Sequence, residues 1–235
     1  DLPDPLKACL NHTDVWLEFN DQWILYSDLW EEVATNGHTR YLSYGGLKTE
    51  CLIRCIANIN LEALIPFQNT LLDMTYKAKN IRFTAPAGTD VSFQNGGRPM
   101  TNELLADTPG SHFLLGNISW APLEETINGT IVFDGTFSGG GDADLGVLKE
   151  PITLQVEKGK IIDISGGQEA AFMRNWLEKL NDPNMYNLAH ASYGINPGAK
   201  LGTACCEDER FWGCTQWGFG NQGVYFEGGA GRAVS

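Results

Sequence analysis

Between Asp14 and Lys79 the spacing of hydrophobic positions changes repeatedly from strand-like to helix-like. "DVWLEF" has strand spacing, and "QWILYSDLWEEVATNG" reads as a strand edge followed by a helix. Ser27 or Asp28 is the expected N-cap of that helix and Gly37 its stop. "RYLSYGG" predicts a second short strand closed by two glycines. "LKTECLIRCIANINLEALIPFQNTLLDMTYKAK" carries apolar residues at helical intervals and predicts two helices separated near Pro66. Proline lacks the backbone donor and crowds the preceding turn. Strand and helix in alternation predict an α/β domain over residues 1–79.

Past Lys79 the pattern changes. "NIRFTAPAGTDVSFQNGG" alternates apolar and polar residues between glycine-rich turns and predicts a hairpin. "HFLLGNISWAPLEETINGTIVFDGTF" continues in that style, with Asn128-Gly129 as an expected hairpin turn. "ITLQVEKGKIIDISGG" predicts another hairpin turning at Lys158-Gly159, and "GQEAAFMRNWLEKLND" an amphipathic helix ending before Pro183. From Leu188 onward there are few periodic segments and many glycines. The expected architecture is therefore an α/β N-terminal part, 1–79, followed by a β-rich α+β domain, 80–235.

Composition narrows the function classes. A chain of 235 residues, 43% hydrophobic with seven tryptophans, can bury a large core, and it has no apolar run of membrane-spanning length. A formal charge of -13 argues against nucleic acid, whose phosphates require clustered Lys and Arg. The six cysteines fit neither a disulfide framework nor a CxxC zinc pattern, and free thiols in a reducing cytoplasm are expected. Three N-x-S/T sequons, at Asn11, Asn117 and Asn128, are no more than chance supplies. The opening "DLPDPLKACL" lacks Met and reads like the inside of a protein, so both ends are expected to be cut.

Few residues offer chemistry. His190, in "NLAHASYGINPGAKLG", stands where a strand runs into a Gly/Pro-constrained turn. It is either a structural imidazole or a metal ligand, and its small neighbours Ala189, Ala191 and Ser192 leave room beside the ring. Asp90 in "GTDVSF" reads as a turn stabiliser, "CCEDER" as solvated acidic surface and "GGGDADLG" as a surface loop without calcium-ligand spacing. No nucleophile elbow, P-loop, dinucleotide fingerprint or HExxH helix is present.

The order of "GTDVSF", "PGSHFLLGNISWAPLEETINGTIVFDG", "PITLQVEKGKIIDISGG", "LAHASYGINPGAK" and "GCTQWGFGNQG" is informative where each motif alone is loose. Over nearly its whole length the chain resembles the superfamily shared by aminopeptidase T-type metallo-aminopeptidases and 2,5-dihydroxypyridine 5,6-dioxygenase. Where the peptidase branch uses metal-ligating side chains, this sequence has Asn117, His190 and Gln216. Amides are poor ligands for a hydrolytic two-metal centre.

The dioxygenase branch fits better, and its resemblance implies Fe(II) with His190 as metal ligand. A His-x-Asp pair expected beyond Ser235 would complete a 2-His-1-carboxylate set. It further implies His112 as a pocket acid or base, and Tyr26 at the place of an expected histidine base. Asn221 would be a substrate-binding amide in the glycine-rich turn. The expected activity is extradiol-type ring cleavage of a hydroxylated pyridine or similar aromatic with O2, by a cytoplasmic homo-oligomer without nucleic-acid or membrane partners. A metallo-hydrolase with altered ligands and a catalytically inactive member of the fold remain the alternatives.

Overall fold

The computed structural model describes residues 2–25, 27–138 and 143–220. The chain begins with α1 (Asp4–Asn11), β1 (Val15–Glu18), α2 (Asp28–Thr35), β2 (Arg40–Ser43), α3 (Thr49–Leu52) and α4 (Leu61–Lys77). Six strands follow: β3 (Asn80–Thr84), β4 (Asp90–Gln94), β5 (Met100–Glu103), β6 (Gly110–Phe113), β7 (Asn117–Trp120) and β8 (Asn128–Phe133). The remaining elements are β9 (Thr136–Phe137), β10 (Gly146–Val147), β11 (Ile152–Glu157), β12 (Lys160–Gly166), α5 (Gln168–Leu180), β13 (Leu188–Gly194), α6 (Cys205–Asp208) and β14 (Thr215–Phe219). This is an α/β fold with several sheets.

Three sheets position the rest. β1, β2 and β6 form a parallel sheet in that order. β12-β11-β8-β4-β3 is a five-stranded antiparallel sheet, and β14-β13-β7-β5 a four-stranded one. The largest core joins the two antiparallel sheets through Val91, Phe93, Ile118, Trp120, Ile131, Leu154, Ala191 and Trp217, with Met173 and Leu177 of α5. Fully removing such side chains from water stabilises by about 1.5–3 kcal/mol each before the entropy of ordering is subtracted.

Local chemistry explains several boundaries. Ser27 caps α2 by accepting from Trp30 N at 3.2 Å, and Gly37 follows the helix with φ +71°. Lys158 (φ +50°) and Gly159 (φ +74°) make the turn between β11 and β12. Two expectations need correction. The helical run is interrupted at Asn58–Asn60, not at Pro66. α3 continues as a π-helical turn, Ile53–Ala57, and Asn60 then caps α4 by accepting from Ala63 N at 3.1 Å. Pro66 lies within α4, in its second turn. Asn128-Gly129 is likewise no hairpin turn but the start of β8. A Cβ on Gly129 would stand 2.2 Å from the Asp90 carbonyl oxygen, so this glycine permits close approach of β4 rather than chain reversal.

Among the described residues no helix is long and apolar enough to cross a membrane. All six cysteines are free, with Cys51, Cys55 and Cys206 buried and Cys9 exposed.

Candidate functional site

Strand side chains alternate between faces, and directly paired residues share one. In the four-stranded sheet Ile118, Trp120, Ala191 and Trp217 turn towards the main core. The same register puts Glu103, Asn117, Ser119, His190, Ser192 and Gln216 on the opposite face. That second face is also largely removed from water: Ser192 is 0%, Asn117 2% and Glu103 6% exposed. A buried polar face is costly unless its groups are hydrogen-bonded.

The bonds are there. Ser192 Oγ donates to Gln216 Oε1 at 2.9 Å, which turns the Gln216 amide nitrogen towards His190. Gln216 Nε2 lies 3.2 Å from His190 Nε2 and donates to it, so that ring nitrogen carries a lone pair. Ser119 Oγ donates to Asn117 Oδ1, and Asn117 Nδ2 donates to the Glu209 carbonyl at 3.2 Å. Gln68 of α4, fully buried, donates to the carbonyls of Glu103 (3.0 Å) and Asn117 (3.1 Å), locking β5 and β7 beneath.

His190 is half-buried, and a bulge at Ala189 puts two steps of β13 opposite one of β14. Such bulges re-aim the neighbouring side chain. The ring lies against the backbone of Gly218: a Cβ there would come within 2.1 Å of His190 Cε1. Burial pushes the His190 pKa down, while the Glu209 charge pushes the other way. Burial prevails. The imidazole is neutral around pH 7, the form that ligates metals.

The segment covering this face carries a buried guanidinium. Arg210, 3% exposed, donates from Nε to the Leu114 carbonyl at 2.9 Å and pairs with Glu209. Burial works against its charge, but Cys206, Glu209 and Glu103 together hold its pKa above the usual value. Asn196, 0% exposed, explains the "INPG" turn. Its Nδ2 donates to the carbonyls of Cys55 (2.9 Å) and Leu115 (3.0 Å), and its Oδ1 accepts from Gly198 N.

Of the residues expected from sequence, His190 stands on this polar face beside Gln216. His112 stands on β6, opposite Leu42 of β2, where its Nε2 donates to the Thr108 carbonyl at 2.7 Å. Among the described residues no hydrogen bond joins His112 to His190. The connection runs through the next residue, because Phe113 N donates to Glu103 Oε2 at 3.0 Å. Tyr26 and Asn221 lie outside the described residues, as do residues 139–142 of the "GGGDADLG" segment. Sequence reasoning missed Glu103, Glu209 and Arg210. The "CCEDER" run is not solvated surface throughout, since Glu207 is 0% exposed. The one local signal was the His-Ala-Ser spacing of His190 and Ser192, which puts two polar side chains on the same side of a strand.

A cleft of about 470 Å³ runs along the edge strand β14, with its aromatic walls on the core side of the sheet and only Gln216 of the polar-face strand residues reaching it. Phe83, Phe137, Trp217 and Phe219 wall it, Cys205, Glu209 and Cys214 offer polar edges, and Gln216 belongs both to it and to the His190 contact. A planar aromatic ring suits such walls.

Comparison with known proteins places these features. A sequence model of the family described as 2,5-dihydroxypyridine 5,6-dioxygenase matches residues 3–219. The 2,5-dihydroxypyridine 5,6-dioxygenase of Pseudomonas putida KT2440 is 34% identical over 130 residues, 53% of this chain and 36% of that protein. The solved structure of 2,5-dihydroxypyridine dioxygenase from Pseudomonas putida KT2440 superposes with a TM-score of 0.70 at 25% identity. That superposition covers 88% of this chain and 60% of the other. Wild-type AmpT from Thermus thermophilus superposes with a TM-score of 0.69 over 99% of this chain and 71% of its own, at 12% identity, a likeness of fold alone. The matched regions thus span 36% and 60% of these two dioxygenase chains, less than two thirds of either.

Proposed function

The chain belongs to the 2,5-dihydroxypyridine 5,6-dioxygenase family, and from that premise we propose that it serves ring cleavage of a hydroxylated pyridine, or a similar aromatic, by O2 at a ferrous ion. Both oxygen atoms are added across the ring carbon–carbon bond that breaks, as in an extradiol-type enzyme. The observation that carries this reading is a neutral imidazole, His190, bonded to Gln216, whose side chain also lines a cleft with aromatic walls.

His190 fits as one donor to such an ion because its ring is neutral and rigidly aimed. The family resemblance assigns a His-x-Asp pair as the other ligands, and we keep that pair as part of the proposal. Ferrous iron, when bound, would supply a site where an ionised ring hydroxyl and O2 meet with electron transfer between them. The chain's own work is positional. Gln216 bonds the lone-pair nitrogen of the imidazole, the atom an ion would take in its place, and the cleft aromatics would orient a flat ring and exclude water. His112, whose Nε2 proton is committed to Thr108, offers Nδ1 as the proton acceptor. Tyr26 and Asn221 keep their proposed roles as a second proton carrier and a substrate-binding amide. A cytoplasmic homo-oligomer belongs to the same proposal.

The hydrolase alternative is weaker here. It rests on fold likeness, and amides occupy the polar face at 117 and 216. The deciding experiment is anaerobic loading with Fe²⁺ followed by O2-uptake measurements with 2,5-dihydroxypyridine, catechols and short peptides. Uptake with the dihydroxypyridine that disappears in His190→Ala is the expected result. Peptide hydrolysis with Co²⁺ or Zn²⁺ and no O2 uptake would overturn it.

A further inference from the structure

A second group of donors lies away from the polar face, in the small core formed by Leu47, Cys51, Cys55, Leu114, Ala199 and Cys206. Cys51 lies in α3 and Cys55 four residues on, inside the π-helical turn. Their sulfurs are 3.8 Å apart, and Cys55 Sγ is 3.8 Å from Glu207 Oε1. The three donor atoms all lie within 4.8 Å of one another. Cys51 is 3%, Cys55 0% and Glu207 0% exposed. We propose that Cys51, Cys55 and Glu207 bind one soft divalent cation of the zinc class, at a site separate from and independent of the His190 reading.

Geometry is the first argument. A tetrahedral ion with metal–sulfur bonds of about 2.3 Å and metal–oxygen bonds of about 2.0–2.2 Å sets its donors roughly 3.5–3.8 Å apart. Two of the donor separations here are already at that value, and the third is within 4.8 Å. Three protein donors leave the fourth position to water.

Charge is the second. Without the ion, two neutral thiols adjoin the Glu207–Arg54 ion pair, whose Arg54 Nη2 lies 2.5 Å from Glu207 Oε1. With it, two thiolates, one carboxylate, one guanidinium and one dication again sum to zero. Each binding event releases two thiol protons, and the buried cluster remains neutral throughout, which avoids the cost of an uncompensated internal charge. Arg54, the partner of Glu207, keeps its side chain 24% exposed.

The outer shell is the third. Glu207 Oε2 accepts from Thr203 Oγ1 at 2.5 Å, which orients the carboxylate, while Oε1 accepts from Lys200 N at 2.9 Å and from Arg54, bonds that an ion on that oxygen would share or replace. An ion here fastens α3 to α6, elements about 150 residues apart in sequence, so it adds stability by binding only the folded chain.

The test uses the full reduced chain, freed of metal and titrated with Co²⁺. Expected are thiolate-to-cobalt charge transfer in the near ultraviolet, saturation at one equivalent, displacement by Zn²⁺ and release of two protons per ion. Cys51→Ser and Cys55→Ser should each weaken binding by about 100-fold or more, and His190→Ala should leave the spectrum intact. A measurement without variants is alkylation with peptide mapping, in which Zn²⁺ should protect Cys51 and Cys55 while Cys9 reacts as before. Absence of a thiolate band, its survival in the double serine variant, or conversion of the pair to a disulfide without metal uptake would each overturn the proposal.

Discussion

The two antiparallel sheets share one apolar core yet differ on their other faces. In the five-stranded sheet β4 alternates cleanly between exposed and buried positions, and β12 buries only Ile161 and Ile164. Its outer face is water-facing and carries residues such as Ser92 and the exposed Arg82–Asp90 pair. In the four-stranded sheet β13 and β7 are buried on both sides, and the second side is polar. Polar side chains that remain hydrated cost nothing to place. The same groups withdrawn from water require a complete set of partners, and such a face is retained where those partners hold a reactive group in position. The contrast separates the sheet that supports the fold from the sheet that presents His190.

That contrast can be broken at several levels. The apolar faces should behave alike because they form one core: Trp120→Ala and Leu154→Ala should cost about 3–5 and 2–5 kcal/mol in denaturant unfolding. A marked mismatch, with one nearly neutral, would mean the sheets do not share their core. The polar faces should behave differently. Ser192→Ala strands Gln216 Oε1 and should cost about 1–3 kcal/mol, whereas Ser92→Ala on the exposed face should stay within about 0.5 kcal/mol. Equal costs would erase the distinction drawn here.

A smaller effect concerns pH. Burial holds the His190 pKa below the ordinary histidine value. As pH falls through about 6.5 the unfolded chain therefore takes up a proton that the folded chain still refuses. Stability attributable to His190 is complete above that value and declines below it, levelling off once the folded pKa is passed. Unfolding free energies from pH 8 to 5 should fall more steeply for the native chain than for His190→Gln. Parallel curves would show the ring to be charged or solvated in the fold.

Much of the fold was legible because it is local. The Ser27 cap, the Lys158-Gly159 turn and the strands either side of it follow from residue type and period. Asn128-Gly129 misled because an Asn-Gly pair signals a turn only when no neighbouring strand needs the glycine for close approach, and β4 does. Pro66 misled because α4 tolerates a proline in its second turn, forgoing the bond to the Glu62 carbonyl, and the break falls instead where Asn60 supplies a cap just upstream. The candidate site was legible at Asn117, His190 and Gln216, the three positions the resemblance singles out. Glu103 reaches the polar face through the β5–β7 register, and Glu209 and Arg210 through a fold-back of the chain over it. Such long-range placement leaves no local signature, and the pairing of Gly110–Phe113 with β2 is of the same kind.

The central claim is that the His190 imidazole is a donor to ferrous iron. Anomalous diffraction at the iron edge, from anaerobically grown crystals soaked in Fe²⁺, tests it most directly. The account predicts a single strong peak within bonding distance of a His190 ring nitrogen, absent in His190→Ala. A peak elsewhere, with that ring still hydrogen-bonded to Gln216 alone, would contradict it.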